Sequence, residues 1–143
     1  MAPLYRPVFV DTSAWVALIY RRDQARKKAV SVWPSLRAGR RNLITTELVA
    51  TETYNLLLYR IGNEAALAFM DKLLMRSHQR IVWTDADLAA VAVEAWLRRY
   101  RDQAFSFTDA VSFEVMEREA VREAFAFDTD FERAGFRLLP ECS

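Results

Sequence analysis

The chain has 143 residues, a length typical of one domain with a substantial core. Hydrophobic residues make up 52% and charged residues 27%, and this apolar content excludes an intrinsically disordered chain. The 20 Lys and Arg residues nearly balance the 19 Asp and Glu residues, so the net charge of +1 does not itself indicate a nucleic-acid or membrane partner. We predict one globular domain over residues 1–143.

Cysteine content and hydropathy indicate the compartment. The single cysteine, Cys142, excludes an internal disulfide framework and favours a reducing compartment. No stretch approaches the roughly 20 apolar residues of a transmembrane helix. Pro3, Arg6 and Pro7 interrupt the apolar start, so no secretory signal is recognisable. We expect a cytoplasmic protein without a membrane partner.

Short β-favouring runs alternate with helical patterns along the chain. The predicted strands are 8–10, 43–45, 80–83, 124–127 and 136–139. The predicted helices are 14–20, 23–36, 46–60, 63–77, 85–100 and 109–121, with a helical turn at 131–134. This alternation predicts an α/β fold, a three-layer α/β/α sandwich around a parallel sheet of about five strands.

Capping residues predict where two of the helices begin. Asp23 is expected to cap the second helix and Gly39 to end it, with Pro34 kinking or shortening it. Thr108 is expected to cap the helix that starts at Asp109.

Two acids lie where predicted strands end. Asp11 directly follows strand 8–10, and Asp128 directly follows strand 124–127. In open α/β sheets, ligands bind outside the carboxyl ends of the strands, so the two side chains would meet there if the strands are neighbours. Taken singly, each acid is equally well explained as a helix cap, because Asp is among the preferred N-cap residues.

Glu52 lies on the apolar stripe of a predicted helix. Its neighbours at helical spacing are Leu48, Val49, Leu56 and Tyr59. A buried carboxylate is costly unless it is protonated, paired or bound to a metal. The alternatives are that Glu52 reaches solvent at the edge of the stripe or pairs with Arg60. Glu47 is about 140° away around the helix and is expected to point elsewhere.

Asp109 occupies the first turn of its predicted helix, where free N–H groups and the helix dipole stabilise a carboxylate. This stabilisation alone explains the residue, but the same position would hold an ionised ligand for a cation. A group of such acids without His or Cys favours Mg²⁺ or Mn²⁺ over Zn²⁺. Without a metal, the acids would raise one another's pKa.

The order of these acids resembles that of the PIN domain, and more narrowly of the VapC-like ribonuclease toxins of bacterial and archaeal toxin–antitoxin pairs. Four segments carry the resemblance: VFVDTSA at 8–14, ITTELVATE at 44–52, FTDA at 107–110 and AFDTDF at 126–131. Together they span nearly the whole chain. The resemblance implies a parallel sheet of about five strands between helices.

The resemblance also implies a site and a reaction. The acidic cluster, both catalytic and metal-binding, would be Asp11, Glu52, Asp109 and Asp128. Thr12 or Ser13 would lie beside it, and Asp130 is a second candidate for the fourth acid. The implied reaction is hydrolysis of an RNA phosphodiester with one or two Mg²⁺ or Mn²⁺ ions, which leaves a 5′-phosphate and a 3′-hydroxyl. Implied partners are RNA, a second copy of the chain in a homodimer, and an antitoxin protein.

Basic and apolar residues suggest surfaces for these partners. One basic run is formed by Arg21, Arg22, Arg26, Lys27 and Lys28. It is explained either as a track that binds RNA phosphates or as a solvated helix face. A weaker basic group is Arg37, Arg40 and Arg41. The chain also has more apolar residues than one face of a small core can bury, and an interface would explain the surplus. The residues are Trp15, Val16, Leu18, Ile19, Trp33 and the leucines at 56–58. His78 is expected to be solvated or capping.

Two other functions compete with the ribonuclease. The first is a catalytically silent PIN-like module that binds RNA or protein. The second is a haloacid-dehalogenase-like phosphohydrolase, suggested by the D-x-D of Asp128 and Asp130. That motif lies late in this chain, and Phe131 and Glu132 follow it where the other family would place different residues.

Overall fold

A five-stranded parallel sheet forms the centre of the computed structural model, which describes residues 6–38, 41–75 and 79–141. Its strands are β1 (Val8–Val10), β2 (Leu43–Thr46), β3 (Gln79–Val82), β4 (Glu123–Phe125) and β5 (Arg137–Leu139). The strand order is β3-β2-β1-β4-β5, and every pair is parallel. The predicted sheet is confirmed.

In the described ranges, seven α-helices connect and flank the strands. They are α1 (Thr12–Ile19), α2 (Arg26–Ala38), α3 (Glu47–Arg60), α4 (Asn63–Met75), α5 (Ala86–Ala92), α6 (Phe107–Arg118) and α7 (Asp130–Arg133). One group of helices packs together as α1 with α2 and α3, and α3 with α4. Helices α5 and α6 pack against each other in a second group. None of the helices in the described ranges is both long and apolar enough to cross a membrane.

The central strand β1 is buried on both sides, as expected for a parallel sheet covered by helices. Phe9 contacts the ring of Phe131, which meets the ring of Phe113 on α6. In the other helix group, Trp33 of α2 stacks on Phe125 of β4. Aromatic contacts thus anchor both helix groups to the strands that carry the site.

Two predicted helices differ from the observed ones. Pro34 lies inside α2 without ending it, and its side chain is exposed, so the ring does not disturb the core. The predicted helix 85–100 is α-helical only to Ala92 and continues as a π-helical segment, Val93–Arg98, followed by a 3₁₀ turn at Arg101–Gln103. Such changes of helix type follow from packing, which the periodicity of the sequence does not reveal.

The start of α6 also corrects a prediction. Ser106, not Thr108, is the N-cap, because its hydroxyl accepts a hydrogen bond from the Asp109 N–H at 3.0 Å. The Asp109 carboxylate in turn accepts from the Ser106 N–H at 3.3 Å. This reciprocal capping box places Asp109 in the third helical position rather than the first.

Some predictions fall outside the described residues. These are the positions of His78 and Cys142, the end of the second helix at Gly39, the end of the fourth at residue 77, and the place of Arg40 in the weaker basic group.

Candidate metal and active site

The sheet topology brings distant acids to one edge. β1 lies between β2 and β4, so the strand order reverses at this point and leaves a crevice at the carboxyl ends. Asp11 directly follows β1, and Asp128 lies three residues beyond β4. The condition for their meeting, that the two strands are neighbours, is satisfied.

Asp11 is buried and tightly positioned. It is the N-cap of α1, and its Oδ2 accepts hydrogen bonds from the Ser13 N–H at 3.2 Å and the Ser13 hydroxyl at 2.8 Å. The same hydroxyl oxygen accepts from the Phe127 N–H at 2.9 Å. Ser13 therefore links the residues after β1 to the loop after β4 by hydrogen bonds and fixes the orientation of the Asp11 carboxylate.

Three acids from two segments form the tightest group. One carboxylate oxygen from each of Asp109, Asp128 and Asp130 lies within 4.8 Å of the other two. Asp128 accepts a hydrogen bond from the Asp130 N–H at 2.9 Å, and Asp130 pairs with Arg133 at 3.2 Å. Asp128 and Asp130 thus reach the same group together, so the two candidates for the fourth acid do not exclude each other.

A cleft of about 290 Å³ contains the four acids of the predicted cluster, Asp11, Glu52, Asp109 and Asp128. The other lining residues are Thr12, Ser13, Val16, Asp23, Leu56, Arg60 and Phe127. Side chains from α1 and the residues on either side of it, from α3, from α6 and from the loop after β4 therefore share one cavity. Neither His nor Cys lines it among the described residues.

Glu52 lines this cleft with a solvent-exposed side chain, which is one of the alternatives that the sequence left open. Its side chain is exposed, and Tyr59 on the supposed apolar stripe is 90% exposed. The expectation of a buried, costly carboxylate is therefore wrong, because α3 buries a narrower face. Glu52 and Arg60 form no ion pair within the described part of the chain. Glu47 points elsewhere, as expected, and accepts hydrogen bonds from the Thr84 N–H and hydroxyl at 2.8 and 2.9 Å.

Crowding and burial shift the acids toward their protonated forms. Burial, together with the nearby carboxylates of Asp11 and Asp128, raises the pKa of Asp109 to about 7. Burial also raises the pKa of Asp11 to about 6, against the opposing hydrogen bonds from Ser13. The pKa of Asp128 is raised by burial too. A divalent cation would relieve this repulsion, and the hard oxygen donors suit Mg²⁺ or Mn²⁺.

The predicted basic groups differ in their access to the cleft. Arg41 pairs with the buried Glu123 at the start of β4, which is the opposite end of the sheet from the acids. The guanidinium of Arg26 donates to the Leu18 carbonyl. Exposed side chains remain in the first basic run at Arg21, Arg22, Lys27 and Lys28. Arg60, considered in the sequence only as a partner of Glu52, lines the cleft itself.

Part of the apolar surplus lines a separate groove of about 390 Å³ between α1, α2 and α4. Trp15, Leu18 and Ile19 contribute from α1, and Val30 and Trp33 from α2. The remaining residues of this apolar surplus lie elsewhere. Val16 and Leu56 line the acidic cleft, Leu57 is buried in the core, and Leu58 is 42% exposed.

Comparison with known proteins agrees with this architecture. The chain matches the PIN domain family over residues 8–137. It is 38% identical over 135 residues to the 23S rRNA-specific endonuclease VapC20 of two Mycobacterium tuberculosis strains, and the alignment covers 94% of this chain and 99% of that protein.

Solved structures show the same fold. The crystal structure of M. tuberculosis VapC20, a sarcin–ricin loop cleaving toxin, superposes with a TM-score of 0.83 at 39% identity, covering 90% of this chain and 95% of that one. FitAcB from Neisseria gonorrhoeae shares the fold with a TM-score of 0.63 at 16% identity, covering 92% and 95% of the two chains. The chain is therefore a member of the PIN domain family and resembles VapC20 in sequence and fold.

Proposed function

We propose that this chain is a metal-dependent endoribonuclease and the toxin of a toxin–antitoxin pair. The observation that carries the proposal is the convergence of Asp11, Glu52, Asp109 and Asp128 in one cleft, from four separate parts of the chain. The similarity to VapC20 supports ribosomal RNA as the substrate, and more narrowly the sarcin–ricin loop. Because ribosomal RNA is a cytoplasmic molecule, the proposed place of action is the cytoplasm.

Each acid has a role in the proposed site. Asp11, Asp109 and Asp128 would hold Mg²⁺ or Mn²⁺ through carboxylate oxygens, and Asp130 would add a further oxygen. Glu52, exposed on the α3 wall, would orient the attacking water. A divalent cation supplies activation of that water and neutralises charge that develops on the phosphate. Ser13 keeps the Asp11 carboxylate aimed into the cleft, and Ser106 does the same for Asp109.

Replacing Asp11 tests the chemistry directly. Asp11→Asn keeps an oxygen acceptor for Ser13 but removes the charge, so we expect cleavage to fall by about 100-fold or more, the scale of one lost electrostatic contact. The assay follows cleavage of a sarcin–ricin loop oligonucleotide with Mg²⁺. The melting temperature should be retained or raised, because the substitution removes a carboxylate whose charged form burial disfavours.

The same assay separates the competing functions. Equal cleavage by Asp11→Asn, or by the unmodified protein in EDTA, would contradict a metal-dependent nuclease. RNA binding without any cleavage would instead favour the silent PIN-like module. Membership of the PIN family replaces the haloacid-dehalogenase alternative.

A second copy of the chain is a proposed partner. Leu58, Tyr59 and Ile61 are exposed at the end of α3, and such apolar residues support an interface. Multi-angle light scattering should give a mass of twice 16.6 kDa for a homodimer. A mass of 16.6 kDa at micromolar concentration would contradict the dimer.

An antitoxin is the other proposed protein partner, since the resemblance is to toxins of paired systems. The neighbouring reading frame tests this pairing. A short upstream gene for a DNA-binding protein that co-purifies with the chain and suppresses cleavage is the expected result. A neighbourhood without such a gene would favour a nuclease that acts alone.

A further inference from the structure

One basic side chain lines the acidic cleft among the described residues. Arg60 lies in the last turn of α3, on the same line as Leu56 and Glu52 at spacings of four and eight residues. The rise of an α-helix places Arg60 about 12 Å along the axis from Glu52. The arginine therefore lies farther along the cleft wall than Glu52.

A tyrosine ring, rather than a carboxylate, holds Arg60. The guanidinium carbon lies 5.7 Å from the ring centroid of Tyr20, the residue that ends α1. Arg60 has no carboxylate within ion-pair distance in the described ranges. A cation–π contact orients the guanidinium without forming an ion pair and leaves the edge of its plane open to a hydrogen-bond acceptor.

Several arginines elsewhere in the fold are neutralised by acids. The residues in such ion pairs include Arg41, Arg98, Arg118 and Arg133. A cation at a helix C-terminus is favoured by the dipole, which explains a positive charge at the end of α3. The dipole does not explain why this cation lies on a ring beside a cleft that contains five acids: Asp11, Asp23, Glu52, Asp109 and Asp128.

RNA entering this cleft brings several phosphates, not only the one to be cleaved. The phosphate at the metal-binding acids would be compensated by the cation that they hold. A neighbouring phosphate would meet Glu52 and Asp23 and be repelled unless a positive group faces it. The planar fork of a guanidinium matches phosphate oxygens in bidentate geometry.

We propose that Arg60 binds an RNA backbone phosphate next to the scissile one, and that Tyr20 is a positioning residue that holds the guanidinium there. The inference rests on the proposed ribonuclease function, because it requires RNA in the cleft. Arg60 contributes to substrate binding, whereas the acids carry the chemistry.

The test measures binding of a sarcin–ricin loop oligonucleotide in the Asp11→Asn background, in which cleavage does not obscure the equilibrium. Arg60→Gln is expected to weaken Kd by about tenfold at low salt, the value of one phosphate contact. It should also reduce the slope of log Kd against log salt by about 0.7, as expected for one lost contact to a single strand. With Asp11 intact, KM should rise by a similar factor while kcat changes little.

Arg99 provides a matched control. Its guanidinium carbon lies 5.4 Å from the ring centroid of Tyr100, but neither residue lines the cleft. Arg99→Gln should leave Kd and the salt slope unchanged. Tyr20→Phe keeps the ring face and should bind like the parent, whereas Tyr20→Leu should weaken binding by several-fold at an unchanged salt slope, because the charge remains but is less well positioned.

Two sets of results would overturn the proposal in distinguishable ways. Unchanged Kd and salt slope in Arg60→Gln would remove the phosphate role while leaving the nuclease intact. Equal losses in Arg60→Gln and Arg99→Gln would mean that only total charge matters. Failure of the unmodified protein to bind or cleave RNA would instead remove the proposed function itself. Circular dichroism confirms that each variant is folded before binding is measured.

Discussion

Two glutamates on the same helix have different environments because five residues turn a helix by more than a third of a full turn. Glu47 accepts two hydrogen bonds from Thr84, two residues after the end of β3, and so connects α3 to the sheet edge. Glu52 makes no such bond to the residues that the structure describes, and it lines the acidic cleft with an exposed side chain. At the scale of the residue, Glu47 stabilises the fold and Glu52 is free for chemistry.

Their amide variants should therefore separate activity from stability. We expect Glu52→Gln to reduce RNA cleavage by at least about tenfold, a low value for a lost proton-transfer or water-orienting group, with an unchanged melting temperature. Glu47→Gln should keep activity within about twofold and lower the free energy of unfolding by about 1.5 kcal/mol, the lower end of the net value of a hydrogen bond to a charged group. Cleavage assays and urea unfolding measure the two effects. A larger activity loss in Glu47→Gln than in Glu52→Gln would mean that Glu47, and not Glu52, serves the reaction.

At the scale of the element, α6 is well formed at its start and strained just after its end. The capping box of Ser106 and Asp109 satisfies the first N–H groups and positions a site acid at once. At the other end, Ala120 has a φ of 56°, in the left-handed region that favours glycine. There the Val121 N–H bonds to the Met116 carbonyl at 2.9 Å and closes the helix. An alanine in this conformation costs about 1–2 kcal/mol.

Replacing this alanine should relieve the strain. We expect Ala120→Gly to raise the free energy of unfolding by about 0.5–1 kcal/mol, because relief of the left-handed strain exceeds the added entropy of the unfolded chain. Ala90→Gly, at an exposed position inside α5, is the matched control and should lower it by about 1 kcal/mol. Urea unfolding measures both. A similar loss in the two variants would show that the left-handed conformation costs nothing here.

At the scale of the whole molecule, the site opposes the stability of the fold. The sheet forces Asp11 and Asp109 into a buried edge, where their pKa values are about 6 and about 7 against an ordinary value of 3.8. Between pH 3.8 and about 7, these two carboxyls hold more protons in the folded chain than in the unfolded chain. Stability therefore falls as pH rises from about 4 to 7, because the unfolded state loses its protons first.

A divalent cation should reverse this loss. Without metal, we expect the free energy of unfolding to fall by several kcal/mol between pH 4.5 and 7.5, since each pKa unit by which burial raises Asp11 and Asp109 corresponds to about 1.4 kcal/mol. With 10 mM Mg²⁺, stability at pH 7.5 should recover, because the folded state binds the ion and the unfolded state does not. Thermal unfolding across pH, in EDTA and in Mg²⁺, measures both effects. Stability that rises toward pH 7.5 in EDTA would contradict the raised pKa values.

Much of this protein follows from local patterns in the sequence. Apolar runs and capping residues predicted five strands and the order of the helices, because periodicity reflects which face of each element is buried. Asp11, Asp109 and Asp128 were recognisable because each lies at the boundary of an element. The capping box at Ser106 has a local S-x-x-D spacing, but the prediction placed the cap at Thr108 and so missed it.

Contacts between elements were not readable in this way. The exposure of Glu52, the place of Asp130 beside Asp109 and the contact of Arg60 with Tyr20 depend on how helices from different parts of the chain pack on the sheet. The same holds for the π-helical segment after α5. A side chain's spacing along one helix predicts the face that it occupies, but which element lies opposite that face, and at what distance, is set by the packing of the complete fold.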